Sequence, residues 1–146
     1  NYPVVQTVDN SYYLSHAFDK TLNKAGWVFM DYRNDANTFN QNTIIYAHSR
    51  YDGTMFGSLK TILTSSWYKN KDNYIIRMST PKENTMWQIF STYTIPKESY
   101  YITTNFKNND DYATFLKTIK ERSDRLNGEG KAVYGITAQF YIESFL

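Results

Sequence analysis

Residues 42–59 read NTIIYAHSRYDGTMFGSL, and they predict a strand that leads into a turn containing a histidine. The run TIIY is β-branched or aromatic and follows a polar stop at Asn42, which predicts a strand. His48 stands where that strand opens into a polar turn. Loops on rigid scaffolds carry function, so a histidine at this place is a candidate for chemistry. A simple turn-capping role is the open alternative, because imidazole has many uses.

The composition bounds the class of protein. A chain of 146 residues predicts one domain, 1–146, with a hydrophobic core. Aromatic residues make up 18 %, including 14 tyrosines, which favours β-rich structure. The net charge of +2 is too small to indicate nucleic acid or an anionic membrane. Neither a bilayer-spanning run nor a signal peptide is visible, and we expect the chain to be a piece of a longer protein.

The chain contains no cysteine. A disulfide framework is therefore excluded, and so are a thiol nucleophile, a zinc–thiolate site and a redox pair within this chain. The two histidines are far apart in the sequence, which argues against a His-rich metal site. His16 lies in a mixed polar and apolar segment, and we expect it on the surface.

Alternation and periodicity predict a mainly β protein with α additions and one compact barrel-like or sandwich core. Residues 74–78 and 85–95 are predicted to pair as a hairpin across the loop 81–84. The segment 111–126 is the clearest helix, with a start signal at 108–110. Its apolar stripe consists of Tyr112, Phe115, Leu116, Ile119 and Leu126. The other predicted elements are a helix over 54–68, strands over 2–6, 26–30 and 43–46, and strand-like material around 133–136.

Seven ordered stretches resemble the class B sortases of Gram-positive bacteria. The resemblance runs from about residue 2 to about residue 123 and rests on YPVVQ, DNSYYL, AGWVFMDYRND, NTIIYAHSRYDGTMFGSL, WQIFSTY, YYITTNF and NDDYATFLKTIKERS. It implies a sortase-type closed β-barrel of about eight strands with helical additions. The helix 111–126 would match the class B insertion before the final strands.

The resemblance also implies an activity. Sortases are extracytoplasmic cysteine transpeptidases at the outer face of the cell membrane, held there by an anchor that we expect to lie outside this chain. Their thiolate attacks the Thr-containing sorting signal of a surface protein and passes the resulting acyl group to a cell-wall or pilin amine. The chemistry needs a thiol, a histidine and a cation, and no cofactor.

Five residues of this chain match functional positions of the family. His48 matches the catalytic histidine, although Ala47 stands where the family usually has glycine. The positions that line the peptide groove of class B enzymes match Asn10, Tyr46, Tyr101 and Ile102. Ordinary barrel packing for the tyrosines and a turn role for Asn10 are the alternatives.

The C-terminal segment departs from the family pattern. The family places its cysteine at the end of a Thr-Leu-Ser-Thr-Cys strand, followed by an arginine on the next strand, whereas residues 135–146 read GITAQFYIESFL. Arg122 and Arg125 belong to the predicted helix and do not match that arginine. Ser144 is a far weaker nucleophile without an adjacent base. We therefore expect this chain to be catalytically inactive.

Three explanations remain open at this stage. The chain is a truncated sortase with altered last strands, or a natural non-catalytic relative that binds sorting peptides. The third explanation is that the barrel serves as an oligosaccharide- or nucleic-acid-binding module. Truncation is favoured, because the chain starts mid-domain and ends on an apolar segment that matches nothing in the family. Barrel closure would then be incomplete, because two central strands would be missing or replaced.

Overall fold

A computed structural model describes residues 1–95, 99–122 and 133–141 of the chain. The strands within these ranges are β1 (Phe29–Met30), β2 (Ile45–Tyr46), β3 (Ile75–Ser79), β4 (Asn84–Ile95) and β5 (Val133–Tyr141). The α-helices are α1 (Ser65–Lys69) and α2 (Asn109–Glu121). Short 3-10 helices cover Tyr12–Leu14, Gly57–Thr61, Lys71–Tyr74 and Tyr100–Ile102.

These elements fall into two compact units. The first unit comprises Asn1–Lys60 and Ile102–Lys107, and the second comprises Thr61–Tyr101 and the described residues from Asn108 onward. Tyr13, Val28 and Phe29 form the buried apolar core of the first unit. The second unit buries Ile62, Ile89, Tyr93, Phe115 and Ile119. The expectation of a single domain stays a prediction.

The first unit contains a very short antiparallel ladder. β1 pairs with β2, with Phe29 opposite Tyr46 and Met30 opposite Ile45. The predicted strands 26–30 and 43–46 therefore exist but are only two residues long. One reason is that the Asn34 side chain accepts a 2.9 Å hydrogen bond from Ile44 N, which takes that donor away from a longer ladder.

The predicted strand over residues 2–6 is wrong in extent. Only Val5 makes a bridge, parallel to Phe29. Val5 N donates to Val28 O at 3.2 Å, and Met30 N donates to Val5 O at 2.8 Å. Pro3 has no backbone N–H with which to extend this pairing.

The second unit contains a three-stranded antiparallel sheet in the order β3-β4-β5. The hairpin prediction is confirmed, since Ser79 is opposite Asn84 and Thr80 N closes the connection by donating to Glu83 O at 2.8 Å. The strand-like material around 133–136 is confirmed as well. It belongs to β5, which pairs along β4 with one irregularity between Ile89 and Ser91.

The prediction of a closed barrel of about eight strands is not met by the described residues. They form one two-stranded and one three-stranded sheet, and neither sheet closes on itself. Much of the chain between β1 and β2 satisfies its backbone through side chains rather than through neighbouring strands. The buried Asn34 amide, for example, donates to Asn42 O at 2.8 Å.

No helix among the described residues is long and apolar enough to cross a membrane.

The predicted helix over 54–68 is wrong as a continuous element. A 3-10 helix ends at Thr61, and α1 begins only at Ser65. Between them the Thr64 hydroxyl donates to Thr61 O at 2.7 Å and lies 3.1 Å from the Ser66 hydroxyl. Serine and threonine hydroxyls compete for backbone partners in this way, which interrupts the regular ladder that the apolar spacing predicts.

The predicted helix over 111–126 is confirmed as α2, apart from its C-terminal end. Asn108 caps it, accepting a 2.9 Å hydrogen bond from Asp111 N, in agreement with the start signal at 108–110. Phe115 and Ile119 from the apolar stripe are buried. Arg122 follows the last helical residue as the C-cap, and residues 123–126 lie outside the described residues.

Candidate functional site

His48 stands two residues after the end of β2, as the sequence predicts. Its carbonyl accepts a 3.0 Å hydrogen bond from Phe56 N. A bridge between Ser49 and Met55 closes the turn that follows. The histidine backbone is therefore held on both sides of the turn, which fits a residue whose side chain must keep one position.

The His48 ring lies close to the backbone at Gly26. A Cβ placed on Gly26 would lie 2.9 Å from the imidazole Nδ1. Nδ1 is buried, and no residue in the described part of the chain hydrogen-bonds it. In catalytic triads a third residue orients the histidine through this nitrogen, whereas here the close approach of Gly26 restricts the ring. The sequence places Gly26 at the start of the predicted strand 26–30 and gives no sign of this contact.

A buried carboxylate directly after β1 organises the same unit. Asp31 is fully buried and accepts five hydrogen bonds. Three come from Arg33: its backbone N–H at 2.9 Å, Nε at 2.8 Å and Nη2 at 2.6 Å. The Asn10 amide and the Tyr46 hydroxyl each donate to Asp31 Oδ2 at 2.9 Å. We call Asp31, Arg33, Asn10 and Tyr46 the Asp31 cluster.

The electrostatics of the Asp31 cluster follow from this geometry. Burial by itself would raise the pKa of the Asp31 carboxyl, but the hydrogen bonds from Arg33, Tyr46 and Asn10 outweigh it and hold that pKa well below its ordinary value of 3.8. The same carboxylate raises the pKa of the Arg33 guanidinium. Burial, and then the hydrogen bond to Asp31, raise the pKa of Tyr46. The cluster therefore holds an ionised pair and a protonated phenol at neutral pH.

Arg33 connects this cluster to a distant part of the chain. Its Nη2 also donates to Ile102 O at 2.9 Å. Nearby, Asn42 Nδ2 donates to Thr103 O at 2.8 Å. Residues 102–107 are thus attached to the first unit by side chains from the loops around β1 and β2.

Three of the four predicted groove residues therefore meet at one place. Asn10 and Tyr46 contact Asp31 directly, and Ile102 is joined to it through Arg33. Tyr101 belongs to the second unit and lies in the 3-10 helix Tyr100–Ile102. Sequence reasoning missed Asp31 and Arg33. The signal that the sequence offers is an acidic residue directly after the apolar run 26–30.

The remaining candidates do not extend this site. No group of three or more acidic or histidine side chains in the described ranges could hold a metal ion, and the expectation of no cofactor stays a prediction. The expected surface position of His16 is only partly met, because its half-buried ring stacks on Tyr12 with centroids 3.9 Å apart. Arg122 lies over the Tyr100 ring at 5.2 Å in the second unit. Arg125 and Ser144 lie outside the described residues.

Comparison with known proteins identifies the family. The chain is 37 % identical over 123 residues to sortase B of Staphylococcus aureus, covering 84 % of this chain and 50 % of that protein. The structure matches a S. aureus sortase B–substrate complex with a TM-score of 0.84 and 30 % identity, over 97 % of this chain and 74 % of the other. It matches Bacillus anthracis sortase B in complex with AAEK1 with a TM-score of 0.82 and 33 % identity, over 96 % and 72 % of the two chains.

The chain belongs to the sortase B family of transpeptidases. It spans about half the length of the curated S. aureus relative, and no family model matches it. It has the sortase B fold by structural match, and it contains no cysteine.

Proposed function

We propose that this chain binds the Thr-containing sorting signal of a surface protein, with His48 beside the peptide as the acid/base group. The observation that carries the proposal is the meeting of Asn10, Tyr46 and Ile102 around the ion pair of the buried Asp31 carboxylate with Arg33, in the unit that also holds His48. Tyr101 belongs to the second unit, and its groove-lining role rests on the family resemblance alone.

The chain has the histidine that sortase chemistry needs but lacks the cysteine nucleophile. Imidazole accepts and donates protons at physiological pH, which suits His48 for proton transfer to and from a thiol and a leaving amine. Acyl-enzyme formation needs a nucleophile, and no cysteine is present. Loss of the nucleophile costs several orders of magnitude in rate. The chain by itself therefore binds a sorting peptide and does not turn it over.

The proposed partners follow from family membership. The first is the sorting signal of a surface protein, and the second is an amine acceptor on a cell-wall peptide or a pilin. The proposed location is the extracellular face of the membrane of a Gram-positive cell. Binding of oligosaccharide or nucleic acid is not favoured, because the net charge is only +2.

The binding test compares two peptides of identical composition. A fluorescently labelled sorting-signal peptide containing Thr should give saturable anisotropy, and its scrambled version should bind much more weakly. Tyr46→Phe, which removes the hydroxyl bound to Asp31, should weaken binding. Tyr51→Phe is the matched control, since Tyr51 is fully exposed and should leave affinity unchanged. Equal affinity for the two peptides would overturn the proposal.

The absence of turnover is tested separately by mass spectrometry of the peptide after prolonged incubation. The peptide should remain intact, with or without an added amine. Cleavage that disappears in His48→Ala would contradict the absence of turnover. It would show that a group other than a thiol serves as the nucleophile.

A further inference from the structure

Asp31 has more hydrogen bonds than its burial alone requires. A buried carboxylate must be paired, because an isolated buried charge is very costly. The contacts from Arg33 Nε, Nη2 and backbone N–H already provide the two-pronged arrangement that satisfies such a group. Asp31 nevertheless also takes hydrogen bonds from Asn10 and Tyr46. The additional partners are the residues proposed to bind peptide.

Stability is a weak explanation for this arrangement. Replacing a buried ion pair with well-packed apolar groups often leaves a protein as stable as before, or more so. The best-supported use of a buried polar cluster is to select one arrangement among several. Here the groups arranged are an amide, a phenol and a main-chain carbonyl from three separate segments, at Asn10, Tyr46 and Ile102.

The hydrogen bonds also decide what each group can offer a ligand. Asn10 is held at both ends of its amide, because Nδ2 donates to Asp31 at 2.9 Å and Oδ1 accepts from Tyr32 N at 3.0 Å. The amide therefore cannot flip without losing both bonds. The Tyr46 hydroxyl gives its proton to Asp31. Its oxygen is left to act towards a ligand as an acceptor, the role that suits a peptide N–H.

We propose that Asp31 and Arg33 are positioning residues, whose ion pair fixes the Asn10 amide, the Tyr46 hydroxyl and the Ile102 carbonyl in one arrangement before the peptide binds. The inference rests on the proposed function. Groups that are already ordered lose less entropy on binding, so this pair increases affinity without touching the peptide. The Arg33 side chain is 31 % exposed to solvent, whereas the Asp31 side chain is fully buried. The carboxylate is therefore the buried centre of the arrangement.

The test measures peptide affinity and unfolding midpoint in the same variants. Asp31→Asn keeps the size of the side chain but removes its charge, and Arg33→Lys keeps the charge but loses the two-pronged contact. Both should weaken binding of the Thr-containing peptide on the order of tenfold, at a temperature where each is folded. If Asp31→Asn does not fold, the peptide affinity of Arg33→Lys alone tests the positioning role.

Asp52→Asn is the matched control. Asp52 and Arg50 form an ion pair of the same sequence spacing, with 2.8 Å between Nη2 and Oδ2, but the Asp52 side chain is 49 % exposed, whereas that of Asp31 is buried. This variant should leave peptide affinity unchanged. A loss of affinity equal to that of Asp31→Asn would overturn the inference, because it would show a general effect of charge.

A double-mutant cycle separates positioning from a merely structural role. Asp31→Asn acts on binding partly through Tyr46, so it should cost less affinity in a Tyr46→Phe background than in the unmodified chain. Additive losses, or affinity unchanged within about twofold in both Asp31→Asn and Arg33→Lys, would overturn the positioning role and leave the proposed function standing. Failure of the unmodified chain to prefer the sorting peptide over its scrambled version would overturn the proposed function itself.

Discussion

Gly26 approaches His48 so closely that a Cβ on the glycine would stand 2.9 Å from the imidazole Nδ1. The same Cβ would lie 2.5 Å from Tyr13 O and 3.0 Å from Leu14 O. Gly26 also adopts a φ of +61°, a region that residues with a side chain seldom occupy. The histidine ring therefore packs against a position that only glycine fills without strain.

Gly26→Ala should destabilise the protein and displace the His48 ring. Backbone strain in the left-handed region costs about 1–2 kcal/mol, and the clash with two carbonyls and the imidazole adds to it. Gly53→Ala is the control, because Gly53 has a φ of +79° but no atom within 4 Å of its added Cβ. Urea denaturation measures both losses, and NMR shifts of the His48 ring should change only in Gly26→Ala. Equal losses would show that the contact with His48 contributes nothing.

Stability should fall in acid because of Asp31. The pKa of this carboxyl is lower in the folded state than its ordinary value of 3.8, so the ionised form stabilises the fold at pH values above about 4. The contribution is lost as the pH falls below that value towards the folded pKa. Urea denaturation between neutral pH and about pH 3 should show this loss, and Asp31→Asn should flatten the profile. A variant profile as steep as that of the unmodified chain would contradict the assignment to Asp31.

Asn108→Ala should destabilise α2 by about 1 kcal/mol, the usual cost of losing an N-cap side chain. The Asn108 amide oxygen accepts from Asp111 N at 2.9 Å, one of the donors that lack a partner inside the helix. Asn109→Ala, one position later and equally exposed, should have little effect. Thermal unfolding of the two variants makes the comparison. A smaller loss in Asn108→Ala than in Asn109→Ala would contradict the capping role.

Ser91→Ala should cost about 1–3 kcal/mol, because it leaves a buried acceptor without its donor. Ser91 is buried, and its hydroxyl donates to Ile119 O at 2.8 Å. This carbonyl belongs to the last turn of α2. Thr114→Ala removes a comparable 2.9 Å bond from Thr114 to Asp110 O at an exposed position and should be nearly neutral. Chemical denaturation compares them, and equal losses would rule out burial as the cause.

Local patterns predicted elements well where backbone partners come from nearby residues. The N-cap of α2 at Asn108 and the β3–β4 hairpin follow from capping and alternation, and both are present. The helix over 54–68 failed because the Thr64 hydroxyl bonds the backbone at Thr61, which apolar spacing does not reveal. The strands β1 and β2 are shorter than predicted for a related reason. The backbone N–H of Ile44 donates to the Asn34 side chain instead of to a neighbouring strand.

Some residues of the candidate site can be predicted from the sequence, and others are recognised only in the structure. His48 was found from its place after β2, and family resemblance added Asn10, Tyr46, Tyr101 and Ile102. Nothing in the residue order indicated that Gly26 would pack against the His48 ring. Asp31 also looked like an ordinary polar end of a strand. Both depend on segments that meet only in three dimensions.

By itself, the amino-acid sequence determined the family, the place of His48 at the end of a strand, and the absence of a thiol, since these depend on residue identity and order. The burial of Asp31 and the hydrogen bond by which Arg33 joins it to Ile102 O arise only in the folded chain. The physical reason is that a buried carboxylate accepts hydrogen bonds from whichever donors the fold brings to it. Arg33 is only two residues away, but the other two donors, Asn10 and Tyr46, lie 21 and 15 residues from Asp31 on segments whose meeting no local pattern records.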